Sequence, residues 1–486
     1  MVSVYDAVIV GGGPAGLSSA CAFRGNGKKV LLIDQNPAVG GQFWKHAEIA
    51  PRLESKHSKW HHHWQQFRDL KRDFLEGVEA GELEYVPNAS VSRIDHAQES
   101  GPARFTLRLS GPLGSPEVFP EGHVSAANVF YCAGTYDRQL PVEGWTLPGV
   151  MAAGGMQTFI KENGFAPGQR FVIAGTGPFL MAAAATVIKA GAKVEAIIDA
   201  SNPTAWFPRG LSAVLVPSKI KEALGYSALL ARHGVKFHFN SVVSKIESTA
   251  SGDGVSAVLV RKIGADSDAQ DKRYGVDAVG LNWGFIPQLD LLLQLRGETH
   301  LSADNALVAT VDKNFESSVE GFYVVGEGNG VSGVLGAVAE GSIAVRKFLG
   351  EPVSLRDRYT VTANNIFAQA FQRAGRIPEN YMSDLSPDTV VCRCEDVTSD
   401  ALQHYFAEDT SPDARAAKGV TRVGMGNCQG RMCGFGLCHA ADEQRGKKPS
   451  ACSVSTTDLL HRDLHAMSVR PLANPVSLES LAQDTE

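Results

Sequence analysis

A glycine-rich turn between two short apolar runs opens the chain and constrains its fold more than any other feature. Gly11-Gly-Gly-Pro-Ala-Gly16 matches G-x-G-x-x-G, follows the apolar run 5–10, and precedes a second apolar run, 28–33, that ends at Asp34. In such a motif the glycines permit a tight turn, a close approach to pyrophosphate, and close helix–strand packing. The helix start then offers free N–H groups and a positive dipole end to phosphates. The pattern predicts a dinucleotide-binding βαβ unit, with Asp34 at the ribose and the phosphates at Gly11, Gly13, Pro14, Ala15 and Gly16.

The same pattern returns in the middle of the chain. Gly175-Thr-Gly177-Pro-Phe-Leu180 follows a predicted strand, and the next strand, 193–198, ends at Asp199. Leu180 replaces the third glycine, so we expect the helix to be pushed outward somewhat while phosphate contact is retained. Asp199 favours a 2′-hydroxyl over a 2′-phosphate. Gly175, Gly177 and Asp199 therefore form a candidate site for NAD, ATP or another adenosine nucleotide, unless the module serves architecture alone.

Charge and hydropathy exclude several classes of protein. The formal net charge is −6, from 46 basic and 52 acidic residues, so nothing indicates a nucleic-acid partner. No apolar run reaches the length of about 20 residues that a bilayer requires. The N-terminus lacks a basic segment and a cleavage site, which argues against a signal peptide. We therefore expect a cytoplasmic protein without a transmembrane segment.

Clustered cysteines near the C-terminus predict a metal site. Cys392-Arg-Cys394 and Cys428-Gln-Gly-Arg-Met-Cys433 form two close pairs that can surround one site with four thiolates. Zinc ribbons usually carry C-x₂-C on both loops, so this spacing favours a [2Fe–2S] cluster. A zinc ion and free or disulfide-bonded thiols remain alternatives. Cys438 could be a fifth thiol near the site but is left out because the two pairs are complete without it, and Cys452 is interpreted as a bystander.

Two further patterns exclude other chemistry. Neither C-x-x-C nor C-x₄-C follows the first glycine motif, and Cys132 stands alone, so we do not expect flavin disulfide reductase activity. Trp60-His-His-His-Trp64 resembles a metal tract, but consecutive side chains point in different directions on a regular backbone. We interpret that segment as solvated or as part of an interface.

Three short segments resemble flavoproteins with two dinucleotide-binding domains. Val39-Gly-Gly41-Gln42 resembles their second phosphate-side loop, and Asn128-Val-Phe-Tyr-Cys-Ala133-Gly134-Thr resembles their strand-turn of ATG type. Gly321-Phe-Tyr-Val-Val-Gly326-Glu327 resembles their late FAD strand, although that family usually has Asp in place of Glu327. The resemblance implies FAD as the cofactor, with contacts from Gly41, Gln42, Ala133, Gly134, Gly326 and Glu327.

The cysteine segments resemble a further family. Val391-Cys-Arg-Cys-Glu-Asp-Val397, together with the segment around Cys428, is similar to the bacterioferritin-associated-ferredoxin-like [2Fe–2S] domain of amine and opine oxidase subunits. The order of parts resembles the α-type subunits of opine oxidase, hydrogen cyanide synthase and heteromeric proline or hydroxyproline dehydrogenase. In that family a β-type partner with its own FAD oxidises an amino-acid, opine or amine C–N bond. Some members hold FMN at the interface, and a small third subunit is also implied.

These resemblances give an expected architecture of class α/β. Two Rossmann-like domains are expected, the second inserted in the first, with a small mainly helical C-terminal Cys₄ domain. The expected boundaries are 1–150 and 288–352 for the FAD-binding domain, 151–287 for the second nucleotide-binding domain, 353–388 for a helical connector, 389–447 for the [2Fe–2S] domain, and 448–486 for a surface tail.

Three functions remain open from the sequence. The leading hypothesis is a subunit that relays electrons from C–N oxidation at a partner. The alternatives are a self-contained NAD(P)H-dependent flavoprotein reductase and a non-catalytic assembly or redox-sensing subunit. No residue of the sequence is identified as a catalytic acid or base.

Overall fold

The computed structural model describes residues 4–47, 58–97, 101–111, 122–202, 210–264, 270–375, 377–408, 412–447 and 455–476. Within these ranges strands β1 to β23 are, in chain order, Val4–Tyr5, Ala7–Val10, Val30–Ile33, Glu84–Val86, Ser90–His96, Phe105–Ser110, His123–Ala126, Val129–Tyr131, Thr135–Asp137, Val150–Ala152, Arg170–Gly175, Lys193–Asp199, Lys236–Phe239, Ser241–Ser248, Val255–Lys262, Lys272–Gly275, Ala278–Asn282, Phe285–Pro287, Thr299–Leu301, Leu307–Ala309, Phe322–Val324, Val390–Cys392 and Val397–Thr398. Helices α1 to α12 are Pro14–Phe23, Trp64–Glu79, Ala153–Asn163, Phe179–Lys189, Pro217–Arg232, Asp290–Gln294, Val334–Phe348, Leu355–Ala374, Ser399–Glu408, Ala414–Thr421, Gly434–Lys447 and Thr456–Ser468.

The first parallel sheet has the strand order β21-β8-β2-β3-β4. Its central strands are buried apolar runs, as expected for a sheet covered on both faces. Strand β21 pairs with β8 although the whole second sheet lies between them in the chain. The first domain is therefore built from two separate segments.

Helices α1 and α7 pack closely on this sheet because a glycine lies at their contact. A Cβ atom on Gly341 would lie 2.4 Å from the carbonyl oxygen of Ala15. The hydroxyl of Ser18 donates to the carbonyl of Val338 at 2.7 Å. This contact sets α7, and the loop that precedes it, against the first glycine turn.

The second parallel sheet has the order β10-β17-β11-β12-β13. Helix α4, which follows its glycine turn, carries Leu180 fully buried in a cluster with Met156 and Ile160 of α3. Two Rossmann-like sheets confirm the expected α/β class. The side chain of Leu180, in the place of the third glycine, is thus accommodated within the core of the second domain.

The connector is helical over only part of its predicted length. Helix α8 ends at Ala374, and described residues from 377 to 389 contain turns and bends instead of helix. Tyr359 of α8 donates its hydroxyl to the carbonyl of Leu215 in the second domain at 2.9 Å. The connector thus contacts the inserted domain as well as leading to the cysteines.

The cysteine domain continues beyond its predicted end. The expected surface tail over 448–486 differs from the structure, where α12 buries Leu460, Leu464 and Met467 against the cysteine domain. The segment was predicted as a tail because most of its residues are polar, although its apolar residues at 460, 464 and 467 have the spacing of one buried helix face. Residues 448–454, including Cys452, and 477–486 lie outside the described residues.

Candidate functional site: two glycine turns and a cysteine loop

The first glycine turn is held closed by backbone contacts. Gly11 has φ +104°, and a Cβ atom there would lie 2.5 Å from the carbonyl oxygen of Cys132. A Cβ atom on Gly16 would lie 1.8 Å from the carbonyl oxygen of Gly11. Pro14 is the first residue of α1, where its missing N–H costs nothing. The first and third glycines are therefore required by the turn itself.

A second loop faces this turn. Gly41 has φ +58°, and a Cβ atom there would lie 2.9 Å from Cα of Gly13. The N–H of Gly40 donates to the carbonyl of Gly12 at 2.8 Å. The structure thus brings Gly13 and Gly41 together as a cradle without side chains. Gln42 accepts a hydrogen bond from the hydroxyl of Thr158 at 3.1 Å, which links the loop to the second domain.

The carboxylate of Asp34 accepts hydrogen bonds from other residues of the chain. It accepts from the N–H of Gly12 at 2.7 Å and from the N–H and side-chain amide of Asn36 at 2.7 and 2.8 Å. Burial raises the pKa of Asp34, against the effect of these hydrogen bonds. A carboxylate has about four acceptor sites, so one remains for a ribose hydroxyl. Gly12, which we did not predict as a site residue, is thus tied directly to Asp34.

Two carboxyl groups follow the late strand: Glu327, which is partly buried, comes shortly after it, and Glu340, which is fully buried, lies in α7. Glu327 accepts from the hydroxyl of Thr135 at 2.8 Å, next to Ala133 and Gly134, and burial raises the pKa of Glu327. Glu340 accepts from the N–H of Gly326 at 2.9 Å, and burial raises its pKa to about 7. Glu340 was not predicted as a site residue. A single acid within the apolar sequence of α7 was the signal that could have identified it.

Buried polar atoms without partners surround the start of α7. Ser332 Oγ, Asn364 Oδ1 and Glu340 Oε1 are all buried and make no hydrogen bond within the described residues. Buried polar groups normally have partners, so each of these needs an explanation. A polar cofactor beside Gly326 and α7 would provide one, and these atoms therefore fit a bound FAD.

The second glycine turn is formed as predicted but is partly covered. Gly175 has φ +135°, and a Cβ atom there would lie 1.7 Å from the carbonyl oxygen of Asn282. Asp199 accepts from the N–H of Ser201 at 2.9 Å and from that of Gly177 at 3.5 Å. Burial raises the pKa of Asp199 to about 6. The carboxylate that we predicted for a ribose is therefore used in part by the turn.

The end of the connector helix lies against this second turn. A Cβ atom on Gly375 would lie 3.1 Å from Oγ1 of Thr176. That Oγ1 is buried and has no hydrogen-bond partner among the described residues. The chain after α8 thus approaches the position between Gly175 and Gly177 where a phosphate would bind.

Four cysteines come together as two pairs. Cys392 and Cys433 are hydrogen-bonded through their thiols, and so are Cys394 and Cys428. Each pair takes one residue from C-x-C and one from C-x₄-C. A Cβ atom on Gly426 would lie 2.2 Å from Cβ of Cys394, so the two loops touch there.

One of these four thiols, that of Cys392, is favoured in its thiolate form. Hydrogen bonding from Cys433 lowers the pKa of Cys392 to about 5, with further help from backbone N–H groups. One of these is the N–H of Gly424, 3.5 Å from the sulfur. Metal ligation requires deprotonated thiols. The same hydrogen bond between the two thiols raises the pKa of Cys433, so this pair favours one thiolate and one thiol.

The number of thiols matches what either of the metal sites considered requires. A structural zinc needs four ligands on one ion, whereas a [2Fe–2S] cluster takes two protein ligands on each of its irons. Among the described residues no three His, Cys, Asp or Glu side chains lie close enough to hold a single metal ion.

The histidine segment forms an interface between domains. His62 shares a hydrogen bond with the hydroxyl of Tyr226 on α5 at 2.8 Å, and Trp60 is buried in the second domain's core. The carbonyl of His62 accepts from the indole N–H of Trp44 at 3.1 Å. Of the two interpretations left open by the sequence, the structure selects the interface.

No helix of the described residues is both long and apolar enough to span a membrane.

Comparisons with known proteins agree with this architecture. The family model described as pyridine nucleotide-disulphide oxidoreductase matches residues 5–341, which supports FAD at the first glycine turn. An opine oxidase subunit from Rhizobium meliloti (strain 1021) is 28% identical over 513 aligned residues, covering 100% of both chains. The hydrogen cyanide synthase subunit HcnB from Pseudomonas protegens is 28% identical, covering 89% of this chain and 90% of that one. The crystal structure of L-proline dehydrogenase from P. horikoshii aligns with a TM-score of 0.60 at 18% identity, covering 99% of this chain and 79% of that one, and indicates a shared fold.

Proposed function

Because the chain belongs to the family of pyridine nucleotide-disulphide oxidoreductases, we propose that it is a flavin- and iron–sulfur-containing subunit of an amine-oxidising enzyme. It would relay electrons from oxidation of an amino-acid, opine or amine C–N bond at a partner subunit. The observation that carries this proposal is that a side-chain-free dinucleotide cradle and two thiol pairs occur in one chain. A flavin, when bound, converts hydride equivalents into the single electrons that a cluster carries.

The first domain holds the FAD in this proposal. Gly11, Gly13 and Gly16, with the start of α1 at Pro14 and Ala15, would bind the pyrophosphate. Asp34 would accept from the ribose with its remaining acceptor site. Gly41 and Gln42 would close the cradle from the opposite side, and Ala133, Gly134, Gly326 and Glu327 would line the ribityl and flavin end.

The cysteine domain holds the [2Fe–2S] cluster in this proposal. Cys392 and Cys433 would ligate one iron, and Cys394 and Cys428 the other. The side chain of Cys394 is exposed, whereas Cys392 and Cys433 are buried. One edge of the cluster would therefore face solvent or a partner protein, as an electron-transfer role requires.

A partner protein follows from the relatives. Two of them are named as subunits, one of opine oxidase and one of hydrogen cyanide synthase. We propose that the partner is a β-type, FAD-containing oxidase of amines or amino acids. FMN would lie at the shared interface, and a small third subunit would complete the assembly. The relay would be cytoplasmic.

Disulfide exchange is not part of the proposal, although the family is named for it. Cys132 is buried, and burial raises the pKa of its thiol to about 12. Cys21 donates its thiol to the carbonyl of Leu70 at 3.4 Å. Neither thiol has a second cysteine beside it in the sequence, so the first domain lacks the adjacent dithiol that exchange with a flavin needs.

The second glycine turn would bind NAD, ATP or another adenosine nucleotide as a resident group. The approach of Gly375 to Thr176 restricts access to this turn, so a nucleotide bound here would not exchange at each turnover. It gives less support to a self-contained NAD(P)H-dependent reductase, because a substrate must enter and leave. Mixing the purified chain with stoichiometric NADH under anaerobic conditions separates the two: rapid flavin bleaching would favour the reductase.

The proposal is tested by comparing the chain alone with the chain plus its partner. Purified alone and anaerobically, the protein should contain flavin, iron and acid-labile sulfide but oxidise no amine substrate. Full amine dehydrogenase activity of the chain alone would overturn the relay function.

A further inference from the structure

The end of the described chain connects the cysteine loop to the first domain. We call residues 468–474 the C-terminal strap. The N–H of Ala473 donates to the carbonyl of Ser92 at 2.7 Å, and the side-chain amide of Asn474 donates to the carbonyl of Val91 at 3.3 Å. The amide of Gln294, at the end of α6, donates to the carbonyl of Pro471 at 3.3 Å. The strap is therefore fixed to the FAD-binding domain.

Two arginines meet one aspartate where the strap passes the cysteine loop. Asp290 Oδ1 accepts from Arg431 Nη2 at 2.8 Å and from Arg470 Nη1 at 3.0 Å. Asp290 begins α6, Arg431 lies between Cys428 and Cys433, and Arg470 belongs to the strap. The exposed fractions of the three side chains are 5%, 22% and 7%. We call these three residues the charge triad.

The charge triad also holds the backbone of the loop. Arg431 Nη1 donates to the carbonyl of Cys428 at 3.3 Å, and Arg470 Nε donates to the carbonyl of Gln429 at 2.8 Å. Gln429 has φ +50°, a left-handed conformation that is uncommon outside glycine. Two guanidinium groups thus stabilise an unfavourable turn between two cysteines.

We propose that the charge triad positions the cysteine loop and raises the reduction potential of its cluster. Two guanidinium groups and one carboxylate leave a net charge of +1 beside Cys428. Reduction adds one electron, and hence one negative charge, to a [2Fe–2S] cluster, and charge and hydrogen bonding near the sulfurs set its potential. Arg431 and Arg470 are positioning residues in this role, since they act through the loop. The inference rests on the proposed function, because it requires the cluster.

The test measures the potential of the cluster in the full-length, flavin-loaded protein. The reduced cluster would be quantified by electron paramagnetic resonance during a dithionite titration of the wild type, Arg431→Gln, Arg470→Gln and Asp290→Asn. Iron and sulfide are assayed first in each protein. Arg415→Gln removes the same charge from an exposed position of the same domain and is the matched control.

Removing a positive charge and removing the negative charge of the triad should shift the reduction potential of the cluster in opposite directions. Each arginine-to-glutamine change should lower the ratio of reduced to oxidised cluster about tenfold at the wild-type midpoint, about 59 mV for a one-electron couple. Asp290→Asn should shift the ratio the other way, and Arg415→Gln should leave it unchanged. Arg470→Lys keeps the charge and should restore most of the potential, which a purely structural role would not predict.

The outcomes separate this inference from the proposed function. Wild-type protein without iron and sulfide would overturn both, and the first assay would reveal it. The role of the charge triad alone would be overturned if iron-loaded Arg431→Gln, Arg470→Gln and Asp290→Asn had the wild-type potential, or if all three shifted it in one direction. If Arg431→Gln does not retain iron, the opposite shifts expected of Arg470→Gln and Asp290→Asn still decide the sign.

Discussion

Glu340 is the residue whose protonation should most clearly affect stability. Its side chain is fully buried in α7, its Oε1 has no partner among the described residues, and its pKa is raised by burial to about 7. The pKa of this carboxyl is about 4.5 in the unfolded chain and about 7 in the folded chain. At pH values between these two, the unfolded chain has lost a proton that the folded chain keeps. Stability should therefore fall as the pH rises through this window, by about 3 kcal/mol in total.

Glu340→Gln should remove this contribution. Glutamine keeps an acceptor for the N–H of Gly326 but carries no charge at any pH, so thermal unfolding should vary less between pH 5 and 7 than in the wild type. Glu379→Gln, at an exposed position, is the control. An unchanged pH profile in Glu340→Gln would contradict the assignment of the proton to this carboxyl.

Two glycines of the first turn should respond differently to alanine. Gly16→Ala places a Cβ atom 1.8 Å from a backbone oxygen, so it should cost more stability than the about 1–3 kcal/mol of ordinary overpacking. For Gly13→Ala the nearest atom, Cα of Gly41, is 3.9 Å away, so the fold should persist. The new methyl group would narrow the phosphate cradle and weaken FAD binding at least about tenfold, or 1.4 kcal/mol.

Flavin content and thermal unfolding of the flavin-free protein check this pair. The prediction fails if Gly16→Ala unfolds at the wild-type temperature, or if Gly13→Ala binds FAD as tightly as the wild type.

At the scale of the elements, substitution of the ligand cysteines should lower the iron content, whereas substitution of a nearby cysteine that is not a ligand should not. Cys394→Ser and Cys428→Ser each remove one ligand, so iron should fall from about two per chain to well below one. Cys438→Ser is the matched control, because this thiol is fully buried in α11 and belongs to the hydrophobic core. Iron loss from Cys438→Ser equal to that from Cys428→Ser would indicate that the loop had been misassigned.

Elements whose conformation is determined by residues close together in the sequence were predictable from the sequence. The turns at Gly11 and Gly175 each need only their own strand and helix, and both occur where the glycine spacing predicted them. The C-x-C and C-x₄-C pairs likewise indicate their loops. By contrast, the close approach of Gly41 to Gly13 joins two separate loops and could be inferred only from a resemblance.

Features that depend on distant parts of the chain were not predictable. The charge triad joins positions 290, 431 and 470, and no local pattern marks any of them. The strap and α12 were mistaken for a surface tail, because their few buried residues are diluted by polar ones. The approach of Gly375 to Thr176 depends on how the connector folds back onto the second domain.

At the scale of the whole molecule, the end of the chain should be necessary for the cysteine domain. A chain ending at residue 455 would lose α12 and the strap and would expose the apolar surface that they cover. Each apolar side chain buried there contributes about 1.5–3 kcal/mol to the free energy of unfolding. Such a protein should keep FAD but lose iron. A chain ending at residue 476 keeps every contact described and should keep both.

Analytical gel filtration with flavin and iron assays distinguishes these truncations. Full iron content in the chain ending at residue 455 would show that α12 and the strap are dispensable for the site.

The central claim is that one chain carries a flavin and an iron–sulfur cluster that exchange electrons. The most direct measurement is the anaerobic visible spectrum of the purified protein, with flavin, iron and acid-labile sulfide assayed per chain. We expect flavin bands with added absorbance toward about 500 nm, and about two iron and two sulfide per chain. A flavin-only spectrum, with zinc in place of iron, would contradict the claim and reduce the cysteine domain to a structural role.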